Sequence, residues 1–216
     1  MNIRPLSQTT RTKLVRHRER GRADRSELYA VLDAGLVCHL GVVTGGSPVV
    51  LPTAYGRIDD TLYLHGSVAN RSLAAAAGRP VCVTVTLVDG IVLARAIFHH
   101  SINYRSAVIF GTARVIDNDP ERRRGLRAVV EHMAPGQWAA AREPTRKELA
   151  ATAVLAVPLA EASVKIRSGP PVDDLEDYEP GVWAGVLPVR MRFGVPQPDP
   201  ALPAGTAVPA HVRERI

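Results

Sequence analysis

Several things are scarce in this sequence. Its 216 residues include two cysteines, and aromatics make up only 5% of the chain. No apolar run approaches the ~20 residues that a membrane-spanning helix requires, so membrane insertion is not expected. The opening Met1-Asn2-Ile3-Arg4-Pro5 lacks the apolar core of a secretory signal. Cys38 and Cys82 both lie in apolar, strand-like runs, so they are expected as reduced core residues of a cytoplasmic protein, with a disulfide as the lesser reading. A zinc site would want further Cys or His at short spacing, and metal is not expected. No Gly-x-Ser-x-Gly elbow is present. Ser101 beside His99 and His100 does not make a triad, because adjacent residues rarely do, so hydrolysis is set aside.

What is present is a globular balance, 46% hydrophobic and 22% charged, in a length that suits one domain. The formal charge of +6 is concentrated in residues 11–22. This basic stretch has no aromatics on which bases could stack, so nucleic acid is not an expected partner. The layout is a basic arm over 1–23, a folded domain over 24–195 and a proline-rich tail over 196–216.

Along the chain, Asp24-Arg25-Ser26-Glu27 reads as a capping box. Leu28, Val31 and Leu32 share one helix face, and Gly35 is placed to close that helix in a left-handed turn. Residues 36–43 and 48–55 read as strands joined by a glycine turn, Asp59-Asp60 turns again, and 61–64 continues the meander. A short helix is expected between Ala69 and Gly78, with Gly78 as its stop. The β-branched run 81–88 ends at Asp89-Gly90, which reads as a hairpin turn with 91–95 returning. A long strand then runs to about Ile116. Asn118 and Pro120 start a helix over Asp119 to Met133, and Thr145 with Glu148 forms a second capping box. Residues 153–158 and 163–167 supply closing strands. The apolar island Trp183-Ala184-Gly185-Val186-Leu187-Pro188 is expected to pack on the barrel or on a second subunit. Short strands with turn signals and few helices describe a mainly β protein, a small barrel with helices at its rim.

Two groups of hydrogen-bond donors stand out. His65-Gly66-Ser67 lies where a strand gives way to a helix, so backbone N–H groups and the Ser67 hydroxyl can meet a phosphate there, with Arg71 one turn further on. The plainer reading is that Ser67 caps the helix, Arg71 is solvated and His65 bonds to backbone. Asn103-Tyr104-Arg105-Ser106 leads straight into the apolar Ala107-Val108-Ile109-Phe110, and buried polar groups cost several kcal/mol unless partnered. Taken as neighbours, the two clusters favour an anionic cofactor, which arginine can grip in bidentate fashion. Alternation puts Tyr104 and Ser106 on one face and Asn103 and Arg105 on the other, leaving one pair open to a second subunit.

The succession His-Gly-Ser, Val-Asp-Gly, Asn-Tyr-Arg-Ser, Trp-Ala-Gly-Val-Leu-Pro over residues 25–195 resembles the pyridoxamine 5'-phosphate oxidase-like split barrels. The resemblance is to their flavin-nucleotide-binding branch, which includes nitroimidazole-resistance proteins. It implies a six-stranded antiparallel split barrel, a homodimer and FMN as cofactor, with FAD, the deazaflavin F420 or haem as alternatives. It further implies that His65, Gly66, Ser67, Asn70 and Arg71 lie near the ribityl phosphate, Arg71 standing where many relatives have lysine. Tyr104, Arg105 and Ser106, with Asn103 beside them, form a second phosphate-side group. Thr53, Tyr55 and Thr84 face the flavin ring, and the Trp183 segment folds over the site. The implied activity is electron transfer from a reduced nicotinamide to a small oxidised substrate of the nitroaromatic or quinone type. The rival is a protein that binds or senses flavin, F420 or haem without turnover, with His65, His99 or His100 as haem ligands. The substrate-binding arginine and histidine pattern of true pyridoxamine phosphate oxidases is not matched near the C-terminus.

Overall fold

A computed structural model describes residues 5–6, 8–178 and 181–216. β1 (Gly21–Arg22) and α1 (Arg25–Ala34) precede a meander of β2 (Val37–Thr44), β3 (Ser47–Ile58) and β4 (Thr61–Ser67). α2 (Arg71–Ala76) leads to β5 (Pro80–Leu93) and β6 (Ser101–Thr112), and β7 (Arg114–Val115) follows with only Ala113 between. α3 (Asp119–Met133), α4 (Gln137–Ala140) and α5 (Arg146–Ala150) return the chain to β8 (Thr152–Pro158) and β9 (Glu161–Arg167). β10 (Gly185–Pro188) and α6 (Ala210–Arg213) lie in the C-terminal segment.

All pairings are antiparallel, in the order β1-β9-β6-β5-β2-β3-β4-β8-β7, with β10 on the outer part of β5. Because β7 continues β6, the β8 end of the path comes back to the chain of β6, while the sheet itself stays open. β6/β7, β5, β2, β3, β4 and β8 make a split barrel, to which β9, β1 and β10 are added. The local chemistry explains the turns. Gly45 and Gly46 take φ of 58° and 82° in the two-residue loop between β2 and β3, where a side chain would be strained. Asn118 accepts from the Glu121 N–H at 2.9 Å to start α3, with Pro120 in its first turn. The Thr145 and Glu148 capping box forms as expected.

Two cores result. Leu28, Val31 and Leu32 of α1, all fully buried, fill the barrel with Leu40, Leu62, Leu64, Val83, Ile109 and Val157. A second core beneath α3 joins Tyr63, Ile116, Leu126, Val129, Leu149, Val154 and Ala156. α3 rests directly on β3, where a Cβ on Gly56 would lie 2.3 Å from the Ala128 carbonyl carbon.

The structure corrects three local expectations. Gly35 is extended, at φ −83°, and is needed for closeness instead: a Cβ there would meet Val85 Cγ1 at 2.5 Å. Asp24 caps α1 alone, accepting from the Ser26 N–H at 2.9 Å, without a reciprocal bond from Glu27. Asp89-Gly90 is no hairpin turn. β5 runs through it with a bulge, and the chain reverses over residues 94–100. Gly90 is instead the point where β10 crosses, its Cβ position 2.8 Å from Val186 Cγ1. Part of the basic arm is docked on the barrel. Arg11 is bidentate to Glu161, the Thr9 hydroxyl joins the same carboxylate, and Arg11 lies over the Phe110 ring at 4.9 Å.

Both cysteines are free, and no helix among the described residues is long and apolar enough to cross a membrane. The apolar island packs as β10, although Trp183 itself is 67% exposed.

Candidate functional site: the outer face of the barrel

Strand alternation sorts the candidate residues onto two faces. On β3, Thr53 and Tyr55 share the inward side; Thr53 pairs with buried Cys38, and Tyr55 is fully buried. The Tyr55 hydroxyl lies 2.5 Å from the Leu32 carbonyl and 2.9 Å from that of Gly35, so it ties α1 to the barrel wall. The expectation that Thr53 and Tyr55 face a flavin ring is corrected: they belong to the interior side.

Thr84 faces outward. It pairs with His39 on one side and Val108 on the other, and His39 pairs with Pro52. Tyr104 and Ser106 lie on the same outer face as Val108. On β4, Leu62 and Leu64 point into the barrel, so Tyr63 and His65 lie on the opposite face. That face is covered by α3 at one end, and Arg11 of the N-terminal arm lies over Phe110 near the other. Between them runs an apolar strip of Val37, Val43, Val50 and Pro52, with Val50 63% exposed, His39 among them and Arg11 at its edge beside Val43 and Val50.

Of the second donor cluster only Tyr104 and Ser106 share the outer face with His65, and the strands that carry them are not neighbours in the sheet order. β3, β2 and β5 separate β4 from β6 along the sheet. Along that path the clusters are four steps of about 4.8 Å apart, roughly 19 Å of curved wall, and the other way round β8 lies between β4 and the β7 continuation of β6.

Several individual residues are also committed to the fold. Asn70, and not Ser67, caps α2, accepting from the Ser72 and Leu73 N–H groups at 3.0 and 3.2 Å. Ser67 accepts from the Ala69 N–H at 3.2 Å, and a Cβ on Gly66 would meet Leu73 Cδ1 at 2.6 Å. Asn103 is buried, donating to the Gly169 carbonyl and accepting from Arg167. Arg105 makes a bidentate pair with Asp89, at 2.9 and 2.7 Å, and the Ser106 hydroxyl reaches the Lys165 carbonyl at 3.4 Å. Arg71 is exposed and makes no hydrogen bond or ion pair among the described residues. His65 differs from all of these. Its Nδ1 is buried without a hydrogen-bond partner among the described residues, and burial holds its pKa below the ordinary histidine value.

Sequence reasoning missed two features. His39 lies in the middle of the strip, and its imidazole makes no hydrogen bond among the described residues. Its signal is a histidine at an outward position of an otherwise apolar strand. A cleft of about 650 Å³ also opens beside the strip, lined by Thr86, Val88, Asp89, Arg105, Arg190 and Arg192. The last two arginines come from a proline-rich stretch with no pattern to mark them.

The comparisons with known proteins fit this architecture. A family model described as pyridoxamine 5'-phosphate oxidase matches residues 24–166. The chain belongs to the pyridoxamine 5'-phosphate oxidase family. Within it, the flavocytochrome Anf3 of Azotobacter vinelandii is 37% identical, with 98% of this chain and 99% of that one covered and a TM-score of 0.92. An FAD and haem binding protein of Mycobacterium smegmatis is 40% identical, covering 91% of this chain and 97% of its own, with a TM-score of 0.87. A structure described as a 5-nitroimidazole antibiotic resistance protein of Bacteroides thetaiotaomicron is 22% identical over 68% of this chain and 86% of that one, with a TM-score of 0.58, and shares the fold. No curated protein matches the chain.

Proposed function

We propose that the bare outer strip and the adjoining cleft hold a flavin, with FAD preferred over FMN, and that the chain also takes haem. The carrying observation is the apolar strip itself, edged by Thr84, Tyr104 and Ser106, together with the cleft that Thr86, two residues beyond Thr84 on β5, lines with Arg190 and Arg192. Support for the identity of the ligands comes from two proteins, 37% and 40% identical over nearly the whole chain, named as a flavocytochrome and as an FAD and haem binder. FMN was the first expectation from the resemblance, with FAD, F420 and haem as the alternatives. A dinucleotide suits a strip plus cleft better, because the second phosphate and the adenosine need the extra surface.

In this reading Val37, Val50 and Pro52 take the flat ring and exclude water, while Thr84, Tyr104 and Ser106 offer hydrogen bonds at its edge. Arg190 and Arg192 offset phosphate charge. For haem, an axial ligand needs an imidazole nitrogen not already engaged. His65 and His39 meet that requirement better than His99, which faces Asp174, or His100, whose Nδ1 faces the Ala96 carbonyl. When bound, flavin supplies hydride and one-electron transfer, and haem one-electron chemistry. The protein is read as an oxidoreductase taking electrons from a reduced nicotinamide to a small oxidised acceptor, of which nitroaromatics and quinones are the classes to try. A second copy of the chain covers the strip and completes the site, since cofactor pockets often form at such interfaces. The test is reconstitution of the purified chain with FAD, FMN, F420 and haemin in parallel. Tighter uptake of FAD than of FMN, with haem taken up as well and lost in a His39→Ala or a His65→Ala variant, is the expected result. Flavin uptake with no reduction by a nicotinamide would favour the binding or sensing alternative.

A further inference from the structure

A cluster of ligating groups sits in the β5–β6 connection, outside the strip. After Leu93 the chain reverses through a short helical turn at Ile97–His99. Facing it is a second such turn, Leu175–Asp177, from the segment that follows β9. Asp173 joins the two. Its wholly buried carboxylate accepts from the Arg95 N–H at 2.8 Å, the Ala96 N–H at 3.3 Å and the Arg95 guanidinium at 3.0 Å. The Arg95 guanidinium also lies 4.4 Å from the centre of the Tyr178 ring. Residues 95–96 are therefore fixed against 173 and 178, which bracket Asp174 and Asp177.

This scaffold brings one imidazole and two carboxylates together. His99 Nε2 lies 3.2 Å from Asp174 Oδ2 and 3.9 Å from Asp177 Oδ2, and the three ligand atoms are all within 4.8 Å of one another. Zinc bonds to nitrogen and oxygen run about 2.0–2.2 Å, so the edges of a tetrahedron around it run about 3.4 Å. The two distances from His99 bracket that edge. We propose that His99, Asp174 and Asp177 form a binding site for a divalent transition metal of the zinc class, which staples the β5–β6 loop to the segment after β9. The imidazole selects against calcium and magnesium, which favour oxygen ligands, and three protein ligands leave a position for water. The tie through Asp173 acts as the outer support that such sites need to hold their ligands in place. The loop so fastened carries Ile97 and Phe98, which are 89% and 90% exposed.

The alternative is a pair of ordinary ion contacts between a protonated His99 and the two acids. Titration calorimetry with zinc sulfate on the full chain, freed of metal by chelator and dialysis, separates the two. The expected result is one zinc per chain and a rise in melting temperature. His99→Ala should abolish the uptake, and Asp174→Asn, a substitution of equal size, should weaken it at least tenfold while circular dichroism is unchanged. No uptake by the wild type leaves only ion pairs and overturns the proposal. Equal uptake by wild type and both variants places the ion elsewhere and overturns it as well.

Discussion

At the scale of single residues, the sequence marks donors well but not where their bonds go. Asn103 and Arg105 were conspicuous because polar groups beside an apolar strand need partners, and the structure supplies those partners from within: Gly169 and Arg167 for one, Asp89 for the other. Tyr55 was read as a ring-facing residue, yet its hydroxyl closes a contact with α1 from 20 or more positions away, which no local pattern reveals. Tyr55→Phe is therefore expected to destabilise the fold by about 1–2 kcal/mol, because the Leu32 carbonyl loses its hydroxyl donor while that of Gly35 keeps His132 Nε2 at 2.6 Å, with cofactor affinity unchanged. Urea unfolding and a flavin titration on the same sample check this, and loss of flavin without loss of stability would return Tyr55 to the site.

His65 carries a second prediction at this scale. Burial holds its pKa below the ordinary value in the folded chain, so the unfolded chain takes up a proton more readily. Stability from this group is full above about pH 6.5 and is lost as the pH falls below that value toward the folded pKa. Urea midpoints measured from about pH 7.5 down to about pH 5 should decline, and His65→Gln should decline less. An identical slope in both proteins would contradict the buried, unpartnered imidazole.

At the scale of elements, what was legible followed local rules. α3 begins and ends where Asn118, Pro120 and Met133 place it, and the β2–β3 hairpin follows from Gly45-Gly46. What was not legible depended on remote segments. Asp89-Gly90 has the composition of a turn, but its glycine is there because β10, nearly a hundred residues later, packs against that point. Gly90→Val should accordingly displace β10 and cost about 1–3 kcal/mol from overpacking, with a change in the fluorescence of Trp183, whose ring packs over Gly185 just before the crossing. A fully stable variant with unchanged emission would argue that β10 does not hold that position. The donor clusters failed as neighbours for the same reason: strand order, which puts three strands between β4 and β6, is not a local property.

At the scale of the whole molecule, the account turns on a bare apolar face in a protein with few large side chains. A lone split barrel leaves Val37, Val43 and Val50 in water, and a second copy over the strip would remove them from it. Val50→Glu is expected to leave the isolated fold within about 0.5 kcal/mol of the wild type, as surface changes usually do, while shifting a dimer toward monomer in light scattering. A wild-type monomer that holds its cofactor would refute the shared site. The central claim, that this family member seats flavin and haem together, is tested most directly by the absorption spectrum of the chain after reconstitution with FAD and haemin and removal of unbound cofactor. The account predicts flavin and haem bands in the same protein, each at one per chain. A spectrum without flavin bands would contradict it.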